Sequence, residues 1–252
     1  MTSIPFADPR WTTLNPPPPS SAKESTPTPS DDGIVLRWKT VGETDWWRTP
    51  EADRHSGLVY GFEHTFEADK GFEISVELGV EPKVQLPDWL TDLSIVDYIS
   101  PSKYRFGQQS NVPQYLPSLE LSSSDDQAAL FLRLDDKEQT WVKTGLEFEN
   151  DKLWAGVVVS SPYSDWSLLP PPVNAKPRRF TISLAGMHLR VFLNDDMIRQ
   201  VNAFGPSDEH VDATSGNSKQ NKAFVGVMAC SPKTGGAEVS FNNFQLAGTA
   251  RE

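Results

Sequence analysis

The chain has 252 residues, a length that fits one large domain or two small ones at about 100 to 200 residues each. With 37% hydrophobic residues, 8 Trp and 13 Phe, it is too aromatic for a disordered chain. Its 34 acidic against 23 basic side chains give a net charge of −11, which argues against nucleic acid and against a membrane surface as partners, because both need clustered cations.

Cysteine chemistry adds little. Cys230 is the one cysteine, so no intrachain disulfide forms. The opening MTSIPFADPRW lacks the basic start and apolar run of a signal peptide, no Asn-x-Ser/Thr acceptor occurs, and no apolar run approaches the roughly 18 residues that span a bilayer. These features predict a cytoplasmic protein.

Residues 1–14, with Phe6 and Trp11, predict a short N-terminal segment packed on the body. Residues 15–32 hold six Pro and four Ser without periodicity and predict a long Pro/Ser-rich loop outside the core. From Gly33 to residue 252 the chain reads as strands of one domain. Phe72, Ile74, Val76 and Leu78 alternate with Glu73, Ser75, Glu77 and Gly79, the period of a strand with one buried face. Residues 81–124 break this rhythm with prolines and scattered aromatics, and predict an insertion that serves as a lid or rim.

Alternation resumes at Asp126. Ala128, Leu130, Leu132 and Leu134 share one side of a strand, with Gln127, Ala129, Phe131 and Arg133 on the other. In the next strand Val142, Thr144, Leu146 and Phe148 alternate with Trp141, Lys143, Gly145 and Glu147. Further short strands are predicted at 153–161, 180–184, 189–193, 224–229 and 237–246. Reversals are predicted at Asn150-Asp151, Ala185-Gly186, Asn194-Asp195-Asp196 and Gly235-Gly236. Many short antiparallel strands without a long amphipathic helix define an all-β class, a β-sandwich or jelly roll.

Thr44-Asp45-Trp46-Trp47-Arg48, Asp126-Gln127-Ala128, Trp141-Val142-Lys143 with Gly145 and Glu147, Ser164-Asp165-Trp166-Ser167, and Val225-Gly226-Val227 with Ser231-Pro232 occur in this order. In that order they resemble the fungal "regulation of enolase" family, a family of unknown function with bacterial relatives. Trp11 with Asn15-Pro16 is similar to that family's opening segment, whereas Asp125 stands where the family has Tyr. The resemblance implies a concanavalin A-like lectin/glucanase fold, a jelly roll of two antiparallel sheets, and a role in carbon metabolism with a metabolic enzyme as partner.

If the apolar faces make the core, Gln127, Arg133, Trp141, Lys143 and Glu147 line the other face of one sheet. Amide, cation, carboxylate and indole groups together suit a small polyhydroxylated, sugar-like ligand. Solvated cross-strand ion pairing is the plainer alternative for Lys143 and Glu147. Trp46 and Trp47 must point opposite ways on a strand, and Trp47 is assigned to the polar face. Asp165 either caps its own turn or joins the ligand set, and Trp166 either plugs the sandwich edge or stacks on a ligand ring.

As an alternative function, Lys143 and Glu147 form an acid–base pair for isomerisation, elimination or cyclisation of a small molecule. The string Glu147-Phe148-Glu149-Asn150-Asp151 lacks the Glu-x-Asp-x-Glu pattern of jelly-roll glucanases, which argues against a two-carboxylate hydrolase. The four His (55, 64, 188, 210) have no ligand spacing, and Asp31-Asp32, Asp135-Asp136 and Asp195-Asp196 read as solvated turns, so neither a metal nor a cofactor is expected. Cys230 reads as a small core residue.

Overall fold

The alternating runs become the strands of a two-sheet sandwich in the computed structural model, which describes residues 1–20, 22–81, 125–134, 139–149, 152–170, 178–202, 204–205 and 220–251. In chain order the strands are Thr2–Ser3 (β1), Thr12–Leu14 (β2), Thr28–Pro29 (β3), Val35–Lys39 (β4), Trp46–Arg48 (β5) and Asp53–His55 (β6). Leu58–Glu67 (β7), Phe72–Glu81 (β8), Gln127–Leu134 (β9), Trp141–Glu149 (β10), Lys152–Ser160 (β11) and Ser164–Leu169 (β12) follow. Arg179–Ala185 (β13), His188–Leu193 (β14), Asp196–Val201 (β15), Gln220–Cys230 (β16) and Glu238–Ala247 (β17) complete the set, with Ala22–Ser25 (α1) a single helical turn.

One sheet runs β15-β14-β13-β8-β17-β4-β3, with β1 also paired to β17. The other runs β12-β11-β10-β9-β16-β7-β2, and β5 with β6 makes a separate two-stranded hairpin. All the strand pairings are antiparallel. Residues 1–82 and 123–252 pack as one unit. Of the expected insertion at 81–124, residue 81 ends β8 and residues 82–124 lie outside the described residues, as do the Asn150-Asp151 reversal, Asp135-Asp136 and His210.

The core between the sheets is made by one parity of each strand. Phe72, Ile74, Val76 and Leu78 of β8 face Leu130 and Leu132 of β9, Val142 and Leu146 of β10, and Val225 and Val227 of β16 in a single buried cluster. The N-terminal residues extend both sheets. β1 pairs with β17 and β2 with β7, while Phe6 is fully buried and the Trp11 indole stacks on Tyr60 at 5.1 Å.

The Pro-rich stretch is more ordered than its composition predicts. Thr28 and Pro29 pair with Arg37 and Leu36 at the sheet edge, a place where a missing N–H costs no ladder bond, and α1 buries Ser25. Asn194 and Asp195, at φ 50° and 73°, make the predicted β14–β15 reversal, and both central residues are left-handed as the tight hairpin turn requires. Asp32 accepts from the Ser30 hydroxyl and the Ile34 amide and so serves its own turn, whereas the Asp195 carboxylate accepts from the distant Arg251 at 3.2 Å.

Gly61 of β7 lies directly opposite Gly226 of β16. A Cβ at Gly226 would stand 2.3 Å from the Tyr60 carbonyl oxygen, and backbone cannot yield as a side chain does. Gly226→Ala is therefore expected to lower stability by about 1–3 kcal/mol in urea unfolding. An unchanged midpoint would mean that the strands separate freely there.

Candidate functional site

The outer face of the β9–β11 region is covered. The β5–β6 hairpin lies across it, and Trp46 packs on Phe131 at 4.7 Å and on Trp141 at 5.6 Å. With Val59, Ala129, Val158, Phe224, Met228 and Cys230 these rings form a second buried cluster. Trp46 donates its indole N–H to the Gly57 carbonyl at 2.8 Å, and Gly57 allows that approach because a Cβ would sit 2.8 Å from the ring.

Within this cover runs a chain of polar side chains. Lys143 Nζ lies 3.2 Å from Asp45 Oδ1 and donates to Gln127 Oε1 at 2.8 Å. Gln127 Nε2 donates to Glu147 Oε1 at 3.0 Å, and Trp166 Nε1 donates to Glu147 Oε2 at 3.2 Å. The register explains the assembly: Gln127 is opposite Glu147 across β9 and β10, and opposite Cys230 across β9 and β16. The Cys230 thiol points at Gln127 Oε1 at 3.4 Å, and burial pushes its pKa up to about 12, which makes it an inert donor.

Lys143 is 3% exposed and Glu147 8%. Burial raises the Glu147 carboxyl from the ordinary 4.5 to about 7, against the opposing pull of the Lys143 charge and the Trp166 hydrogen bond. The space between Gln127, Lys143, Glu147 and Gly156 is about 10 Å³, about one water molecule. The structure thus corrects the expectation of an open ligand face here: Gln127, Lys143 and Glu147 do share one face, but hairpin and neighbours seal them from any sugar-sized molecule.

An open cleft of about 590 Å³ lies beside this cluster. Arg48, Asp53 and His55 of the hairpin form one wall, and Arg133, Thr140 and Trp141 form the other. Two of the predicted ligand residues, Arg133 and Trp141, therefore reach the cleft. Arg48 is fixed at its backbone, where the amide donates to Ser164 Oγ at 2.9 Å, and its guanidinium meets Asp53 at 3.2 Å.

The remaining predicted residues lie elsewhere. Trp47 is half-buried against the second cluster and meets the 42%-exposed Trp166 edge to face at 6.4 Å, and Trp166 is the one of the two that bonds Glu147. Asp165 is separate from all of them. It pairs with Arg199 of β15 and so ties the edge strands of the two sheets, which corrects its assignment as a ligand contact. Asp45, Asp53, His55 and Gln139 were missed as site residues. Asp45 sits in the Asp45-Trp46-Trp47-Arg48 string that carries the family resemblance, whereas Asp53 and His55 have no sequence signal beyond a strand three residues long.

Two antiparallel sheets with a capped outer face define a jelly-roll sandwich, and solved structures show the same fold. A functionally unknown protein of Saccharomyces cerevisiae is similar with a TM-score of 0.61 and 20% identity, covering 99% of this chain and 100% of that one. "Bacteroides ovatus Xyloglucan PUL GH43B" is similar with a TM-score of 0.53 and 14% identity, covering 97% of this chain and 39% of that one. Residues 117–249, more than half of the chain, match the family described as "Protein of unknown function (DUF1349)", and the chain belongs to that family. Among curated proteins it is 27% identical over 125 residues to "Regulation of enolase protein 1" of Saccharomyces cerevisiae, which covers 48% of this chain and 56% of that protein. A stretch of 53 residues is 42% identical to an uncharacterised protein of Emericella nidulans, 20% of this chain and 26% of that protein. The chain thus spans about half the length of the yeast relative and a quarter of the other.

The raised Glu147 pKa has a stability consequence. Between about 4.5 and 7 the unfolded chain releases this proton while the folded chain keeps it, so stability falls as pH rises through that window and the loss is complete above about 7. The shift corresponds to about 3 kcal/mol. Glu147→Gln, neutral at every pH, is expected to unfold with less pH dependence than the parent between pH 4.5 and 7 in thermal melts. Parallel curves for the two proteins would show that Glu147 ionises as an ordinary carboxylate.

Proposed function

We propose that this chain binds a small polar, carbohydrate-like ligand in the cleft between the β5–β6 hairpin and the ends of β9 and β10. The observation that carries the reading is the lining: two guanidiniums, a carboxylate, an imidazole, an amide and two hydroxyls converge on about 590 Å³ beside the rim of two indoles. That volume lies within the usual range for small-molecule sites, and fixed donors and acceptors beside an apolar wall are what hydroxyl recognition requires. Trp46 and Trp141 are each 3% exposed, so they shape the wall while the polar groups make the contacts. A cytoplasmic setting accompanies this reading, favoured by the lone, buried thiol.

A second reading, an acid–base enzyme working through Lys143 and Glu147, is favoured by one fact, a carboxyl whose proton is held near neutrality. It requires Trp166 to swing away from Glu147 before any substrate enters. Turnover of an identified substrate that survives Glu147→Gln would sink it. The name of the yeast relative supports a regulatory contact with a metabolic enzyme as a further part of the function, with the cleft as its sensor of metabolites.

The cleft reading is tested by thermal shift against neutral sugars, sugar acids and sugar phosphates. A ligand at 100 times its dissociation constant stabilises by about 2.7 kcal/mol, which moves the midpoint by several degrees. Gln139→Trp places an indole from an exposed position into the cleft and is expected to abolish the shift while leaving the unliganded midpoint in place. A shift that persists in Gln139→Trp, or no shift with any of these compounds, would overturn the reading.

A further inference from the structure

We propose that the ligand of this cleft carries an anionic group, a carboxylate or a phosphate monoester, held between Arg48 of the hairpin and Arg133 of the sheet; the inference rests on the cleft being a polar-ligand site. Arg48 and Arg133 both line the cleft, one from each wall. The Nε of each is buried and has no hydrogen-bond partner. A buried donor left unpaired is costly, and the one carboxylate of the described lining, Asp53, pairs with Arg48, which leaves Arg133 without a carboxylate partner among the described residues.

Asp53 is already shared, 3.2 Å from Arg48 and 3.5 Å from the His55 ring nitrogen. Two guanidiniums against one carboxylate leave the described lining with a positive excess, on a chain whose total charge is −11. Such a local reversal of sign focuses an anion where the rest of the surface repels it. Guanidinium presents its N–H groups as a planar fork that matches the two oxygens of a carboxylate or phosphate, so an anion spanning both walls gives each guanidinium charged acceptors on its cleft side.

The geometry adds a second consequence. Arg48 belongs to the hairpin and Arg133 to β9, so a bridging anion staples one to the other. Hydrogen exchange in residues 46–55 is then slower with the anionic ligand bound.

The experiment is titration calorimetry on the full chain with glucose, galactose and xylose, their aldonates and uronates, and their phosphate monoesters. It is repeated with Arg48→Gln, Arg133→Gln and Arg133→Lys, alongside amide exchange of the parent. The expected result is that at least one charged compound binds tenfold or more tighter than its neutral parent sugar. Either Gln variant erases that preference, Arg133→Lys keeps part of it because charge remains without the fork, and residues 46–55 gain protection. Whether aldonates and uronates or phosphates lead separates the two anion classes. Neutral sugars binding as tightly as their charged forms, or a charge preference unaltered in both Gln variants, would overturn the anion while leaving the polar-ligand reading intact. No binding by any compound would overturn both.

Discussion

The ion pair between Lys143 and Asp45 sets what the outer face of the seven-stranded sheet becomes. Lys143 projects from the middle of β10 with a side chain 4% exposed, and an ammonium at that depth without a partner would cost several kcal/mol. Asp45 meets it from the residue just ahead of β5, and in doing so fixes the start of the hairpin. Trp46 then follows onto Phe131 and Trp141, and a sheet face that polar residues would otherwise keep wet becomes a second core. Gln127 extends the arrangement. Its carbonyl oxygen is taken by Lys143 and the Cys230 thiol, so its amide N–H₂ faces Glu147, whose other oxygen receives the Trp166 indole.

The sandwich was legible in the sequence because period-two alternation is a direct image of one buried face. Phe72 to Leu78 in β8 and Ala128 to Leu134 in β9 enter the main core as their spacing predicts. Alternation also placed Gln127, Lys143 and Glu147 on one common face, correctly as to parity. What it did not give is the cover over that face, because a period reports orientation and not what lies opposite. A signal existed nonetheless: Ala129, Phe131, Val158, Phe224 and Met228 share the parity of the polar residues, and near-continuous apolar runs such as those of β11 and β16 mark strands buried on both sides. The hairpin itself was hidden, since two strands of three residues leave no period to count.

Asp165 shows a different limit. Its neighbours in sequence include Trp166, which does reach Glu147, but successive residues on a strand point to opposite sides. Asp165 is therefore directed toward Arg199 on the edge of the other sheet while Trp166 turns to the cluster. Sequence proximity to a functional string is a weak guide on β12 for that reason.

The open cleft and the sealed polar chain are separate in space but share their supports. Arg48 of the cleft is two residues beyond Trp46 on the same short strand and three beyond Asp45, which precedes it, and Trp141 of the cleft is two residues before Lys143 on β10. The hairpin that carries Arg48 is held to the sheet by the Asp45–Lys143 pair and by Trp46 on Phe131 and Trp141, so the contacts that cover the polar chain also set the position of the cleft wall. A sandwich that lays a hairpin over its own sheet face thereby gains a second core beneath the hairpin and a polar wall beside it, made by Arg48, Asp53 and His55.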